Sequence, residues 1–162
     1  MKSRKKMKFI TNAAIVAALY VILTYLTSIL GLASGAVQCR LSEALLVLPM
    51  FTPAAIPGLF VGCFLSNLLT GGVIADVVFG SAATLIGAAG AYLLRKRKPY
   101  ISTSVNVLAN AITVPFVLKF AYALDEGIMY FVATVGLGEV ISCSLLGTIL
   151  YKAVKKHEKV LF

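Results

Sequence analysis

Long apolar runs, broken at irregular intervals by proline, glycine and short charged clusters, dominate this chain. Four of them, about 9–30, 73–94, 101–123 and 127–151, exceed the roughly 20 residues a helix needs to cross about 30 Å of hydrocarbon. The stretch from 37 to 72 is equally apolar but carries Pro49, Pro53, Pro57 and Gly58, too many breakers for one straight helix. It predicts two short helices, about 37–50 and 54–70, joined by a tight turn at Phe51-Thr52-Pro53.

The charge pattern threads these segments. Of 15 Lys and Arg, all but Arg40 and Lys119 fall in three clusters: Lys2 to Lys8, Arg95 to Lys98, and Lys152, Lys155, Lys156 and Lys159. Basic clusters flanking membrane helices mark the cytoplasmic side, so an even number of crossings separates each from the next. Residues 9–94 then hold two or four crossings; the two short helices give four, and a re-entrant pair also satisfies parity. Residues 101–151 add two more, hinged outside at Asp125-Glu126-Gly127. The expected fold is an all-α membrane protein, a bundle of about six transmembrane helices in one domain, 1–162, with both termini cytoplasmic. Tyr25, Tyr122 and Tyr130 near one border, and Tyr92, Tyr100 and Tyr151 near the other, suit headgroup level. Lys119, at the outer end of its helix, reads as a snorkelling stem.

Composition narrows the classes. A chain 60% hydrophobic and only 13% charged cannot hide its apolar surface as a soluble domain. Its net charge of +9 follows from the cytoplasmic clusters and attraction to anionic lipid, so no nucleic acid is invoked. The first run, preceded by basic residues and followed by Ala33-Ser-Gly35, imitates a secretory leader. At roughly 22 residues it is too long for a leader's apolar region, and it reads as a retained helix. Cys39, Cys63 and Cys143 have neither metal-site spacing nor a nearby histidine and read as packing thiols. His157 reads as solvated.

Against this background the buried polar residues carry the information. Arg40, Glu43, Asp76 and Glu139, with Gln38, Asn67, Asn106 and Asn110, lie inside segments that must cross lipid. One ionised group at mid-bilayer costs about 2.5–3.5 kcal/mol on insertion scales, so such groups face one another, a cavity or a ligand. Gln38, Arg40 and Glu43 open the second helix, Asn67 closes the third, and Asp76 lies a turn inside the fourth. Glu139 falls roughly 18 Å along the sixth, near the midplane. Thr103, Asn106, Asn110 and Thr113 share one helical face. The polar groups gather in the outer half, which favours an outward-opening pocket with a closed floor over a conduit. Ala13 with Ala17, Ala14 with Ala18, and Gly58 with Gly62 are small-xxx-small pairs suited to close helix contact. No phosphate loop, zinc-protease motif or nucleophile elbow is present, so no P-loop route to ATP hydrolysis exists in this chain.

The run Gln38-Cys39-Arg40-Leu41-Ser42-Glu43-Ala44-Leu45, then Leu48-Pro49, resembles the Q-x-R-x-S-E-A-L…LP signature of the queuosine-precursor transporter (QueT) family. Asn67 and Asp76-Val-Val-Phe79-Gly80-Ser-Ala-Ala-Thr84 are similar too. The resemblance implies a substrate-binding S component of an energy-coupling-factor (ECF) importer in a prokaryotic plasma membrane. Such a component works with a transmembrane T component and two ATPases. It implies no enzyme activity and no cofactor in this chain, ATP being used by the partner subunits. It further implies a 7-deazaguanine ligand. For such a ligand the polar cluster supplies the expected binding residues, Gln38, Arg40, Glu43, Asn67, Asp76, Asn106, Asn110 and Glu139, with Phe79 over the ring. Ala13, Ala14, Ala17 and Ala18 correspond to the motif that docks to the T component. Read without the resemblance, the residues also allow an autonomous proton-coupled transporter or a non-transporting membrane subunit.

Overall fold

A computed structural model describes residues 2–31 and 39–158; Gln38 and most of the 31–37 loop lie outside the described residues. The described residues form six helices. Four are long and apolar enough to cross a membrane: the first (Ser3–Ile29 of Lys2–Ile29), the fourth (Asp76–Leu93), the fifth (Pro99–Ala121) and the sixth (Ile128–Lys156). These correspond to the four long runs, and the protein is a multi-pass membrane protein. The first helix starts earlier than its apolar run, because Lys and Arg are good helix formers and continue it.

The segment rich in breakers folds into two shorter helices, Leu41–Met50 and Ala55–Leu69. Leu41–Met50 is a 3₁₀ helix. Its rise of about 2 Å per residue stretches ten residues to about 20 Å, where an α-helix would reach about 15 Å. Pro49 lies near its end, and Phe51 and Thr52 then bond back to the Leu48 carbonyl at 2.9 and 3.1 Å. The Ala54 N–H donates to the Thr52 hydroxyl at 3.3 Å, which completes the turn. Pro57 follows in the first turn of the third helix, where a missing N–H costs no intrahelical bond.

Contacts between helices fix their directions. Thr27, Thr24 and Tyr20 meet Leu41, Ser42 and Glu43 in that order, so the second helix runs opposite to the first. Gly58 sits on Ala13 and Gly62 on Ala17, so the third runs parallel to the first. Thr84 meets Cys63 and Gly80 meets Asn67, which reverses the fourth. Ser102 bonds the Leu94 carbonyl while Asn106 packs on Gly87, which reverses the fifth. Asn110 and Asn106 then reach Glu139 and Cys143, which reverses the sixth. Each helix therefore runs against its predecessor. The N-terminal cluster, Arg95 to Lys98, Lys152, Lys155 and Lys156 come to one end, with the Phe51–Pro53 turn. The Asp125-Glu126 turn lies at the other.

The core divides by depth. Val16, Leu45, Leu48, Ala55 and Leu59 pack an apolar half toward the basic end. Above it, toward the acidic turn, the buried polar side chains gather beside a smaller apolar cluster of Val114, Leu118, Phe131 and Val135.

Candidate functional site

Six helices contribute to one polar layer; the second is the 3₁₀ helix, and three others carry π turns beside it. The fourth opens with a π turn, Asp76–Gly80; the fifth ends in another, Val117–Ala121; the sixth carries one, Val140–Leu146, directly after Glu139. Wide turns of this kind re-aim side chains and recur at functional sites.

At the centre lies Asn106, fully buried. Its amide nitrogen donates to Glu43 Oε2 at 2.9 Å and to Glu139 Oε2 at 3.0 Å. The other oxygen of Glu139 accepts from Asn110 Nδ2 at 3.1 Å, and the other oxygen of Glu43 accepts from the Tyr20 hydroxyl. Two carboxylates, 2% and 8% exposed, are thus held by three neutral donors. Asn106 Oδ1 has no hydrogen-bond partner; a Cβ on Gly87 would come within 2.1 Å of it, so a glycine there makes room for the amide. The sequence placed Glu43 shallower than Glu139. The shared Asn106 amide puts them at one level.

Nearer the acidic turn, Arg40 Nη2 lies 3.7 Å from Asp76 Oδ2, and Nη1 donates to Asn67 Oδ1 at 3.4 Å. Asn67 Nδ2 donates to the Asp76 carbonyl at 3.3 Å. The Tyr122 hydroxyl donates to Asp76 Oδ2 and accepts from the Val73 N–H, both at 3.3 Å. Arg40, part-exposed at 22%, thus faces one buried acid directly, Asp76, and lines the same small space as Glu43 and Glu139.

Most of the expected residues converge: Arg40, Glu43, Asn67, Asp76, Asn106, Asn110 and Glu139. Phe79 does not join them. It is 55% exposed and lines an outer apolar groove with Ile112, Thr113, Phe116 and Phe120. Asp76 and Phe79 are not on the same helical face where the turn is wide. Two participants were not anticipated: Tyr20 and Tyr122. Tyr20, Thr24 and Thr27 step by four and three along the first helix, a polar stripe on one face that marks them. Cys39 bridges to Ser142 at 3.0 Å, pinning the start of the second helix to the sixth. Lys119 donates to the Leu124 and Asp125 carbonyls at 3.0 and 3.1 Å, at the end of its helix.

The four alanines separate. Ala13 and Ala17 are half-buried against Gly58 and Gly62, whereas Ala14 and Ala18 are exposed on the outside of the bundle.

A sequence profile of the QueT transporter family matches residues 10–156. The chain belongs to the QueT transporter family. It is accordingly a transporter rather than an enzyme. The queuosine precursor transporter QueT of Lactococcus lactis subsp. cremoris (strain MG1363) is 30% identical over 172 residues, spanning 96% of this chain and 97% of that protein. No solved structure matches the chain. The polar layer of this QueT family member is therefore the candidate site for a transported small molecule.

Proposed function

We propose that this protein captures a queuosine precursor of the 7-deazaguanine class from outside and delivers it inward as the S component of an ECF importer. The observation that carries the reading is the pair Glu43 and Glu139 joined by one Asn106 amide. A guanine-like edge presents two N–H donors beside a carbonyl, and a carboxylate next to an amide or guanidinium complements it. On Glu139 the ligand's N–H groups replace Asn110, whose freed amide turns to the ligand carbonyl. Arg40 is the second donor within reach. The aspect is that of an exchange of hydrogen bonds, in which no buried polar group is left without a partner.

The tilted contact of Phe51 with Tyr151, ring centroids 5.0 Å apart, brings the turn between the second and third helices to the basic end and supports six crossings over a shallow re-entrant pair. The gathering of the basic residues at one end supports cytoplasmic termini in a prokaryotic plasma membrane. For coupling to a T component and two ATPases, the exposed Ala14/Ala18 stripe is the docking face. Ala13 and Ala17 serve it indirectly, by seating the first helix on the third.

Purified protein titrated with 7-deazaguanines, in detergent and without any gradient, tests the reading. Saturable binding is expected, and reconstitution of the chain alone in liposomes is expected to give no uphill flux. Proton-coupled flux by the isolated chain would replace the S-component role with an autonomous transporter.

A further inference from the structure

Two spaces lie along the polar axis, and Arg40 belongs to the lining of both. The outer one, about 280 Å³, is walled by Thr24, Asn67, Gly72, Asp76 and Tyr122. The inner one, about 10 Å³, lies among Glu43, Thr84, Asn110 and Glu139. The first approaches the roughly 300 Å³ at which small-molecule pockets begin. The second has room for about one water, far less than a bicyclic base. Arg40 is held between them by long contacts, 3.7 Å to Asp76 and 3.4 Å to Asn67, beyond or at the outer limit of a good hydrogen bond. Asp76 keeps Tyr122 as a second partner, so it stays in place when the guanidinium leaves.

We infer that Arg40 is a swinging partition, and that the outer vestibule is a separate first binding station for a ligand bearing a cationic or N–H-rich substituent. The substituent takes the Asp76 carboxylate in place of Arg40. The freed guanidinium, planar and on a long stem, swings aside and can stack on the face of the passing ring. The ring then enters between Glu43 and Glu139. The identity of the ligand rests on the capture role proposed above; the partition rests on the two spaces and their common wall.

The partition is tested without any ligand. Cys63 and Cys143 are buried one layer below Arg40, bonded to Thr84 at 3.3 Å and close to Asn106 at 3.7 Å. In a Cys39→Ser background, their labelling by a small cationic thiosulfonate is followed by mass spectrometry. Arg40→Met is expected to raise the labelling rate roughly tenfold, the scale of one lost charge-assisted hydrogen bond. Asp76→Asn, which keeps the arginine but weakens its hold, raises it less and guards against misfolding of the first variant. Unchanged labelling in both variants overturns the partition.

The station is tested by stopped-flow tyrosine fluorescence in the Trp-free protein. An aminomethyl-substituted 7-deazaguanine should bind in two phases, the slower one saturating with concentration. Asp76→Asn should slow its fast phase several-fold more than that of the neutral parent base. A single phase rising linearly with concentration, or equal slowing of both ligands, overturns the outer station. If wild-type protein binds neither base, the capture role fails, and the labelling rates alone decide the partition.

Discussion

The seam between the first and third helices and the polar centre above it are built on opposite principles. The seam has regular α-helices and almost no polar groups, and shape holds it. A Cβ on Gly58 would lie 2.6 Å from the Ala13 carbonyl oxygen, and one on Gly62 2.7 Å from the Tyr20 Cβ. The centre has 3₁₀ and π turns, and named hydrogen bonds hold it. Tyr20 belongs to both: its Cβ rests on Gly62 while its hydroxyl reaches Glu43. Close packing in the seam thus sets the position of a carboxylate in the site. The contrast indicates that rigidity and recognition were placed in different helix pairs and joined through one ring.

The largest expected effect is at the centre. Asn106→Leu removes the donor shared by Glu43 and Glu139 and leaves two buried carboxylates facing each other. It should destabilise the protein by about 3 kcal/mol or more, read as a lower melting temperature in detergent, and abolish binding. A smaller loss at Asn106 than at the seam would reverse the proposed division of labour.

Gly58→Ala comes next. Its methyl group meets backbone rather than a movable side-chain end, so overpacking should cost about 2 kcal/mol. Ligand affinity in the folded fraction should fall less than at Asn106, because Gly58 meets Ala13 and Val16, whereas the contact that carries the seam to Glu43 is Gly62 on Tyr20. A strong loss of affinity at equal folding would show that the seam does more than support the site.

Ala14→Trp should have the smallest effect on the isolated protein, below about 0.5 kcal/mol, since Ala14 faces outward. Cellular uptake should nevertheless be lost if this stripe docks to a T component, because a bulky ring holds two helices apart. Normal uptake would remove the docking assignment, and a parallel loss of binding would place Ala14 in the monomer's own packing.

Run length made the four long helices legible, and the spacing of Pro49, Pro53 and Pro57 located the turn between the short ones. The 3₁₀ and π geometry was not legible, since local sequence does not specify it and packing against neighbours does. The common level of Glu43 and Glu139 was not legible either, because an amide on a third helix sets it. The charged set itself could be read from the cost of burying it. Tyr20 was overlooked although its spacing to Thr24 and Thr27 was in plain view, because apolar neighbours masked the stripe. Phe79 was expected over the ligand ring as an aromatic of the fourth helix, and the structure turns it to the outer groove instead.

The claim that matters most is that buried carboxylates at the shared amide read the ligand. Glu139→Gln keeps the volume and exchanges an acceptor oxygen for a donor, and Glu43→Gln does the same on the other side of Asn106. Calorimetric titration of both purified variants with a 7-deazaguanine tests the claim most directly. At least one should lose about 2 kcal/mol, some 30-fold in affinity, while melting close to wild type. Wild-type affinity in both variants would contradict the account.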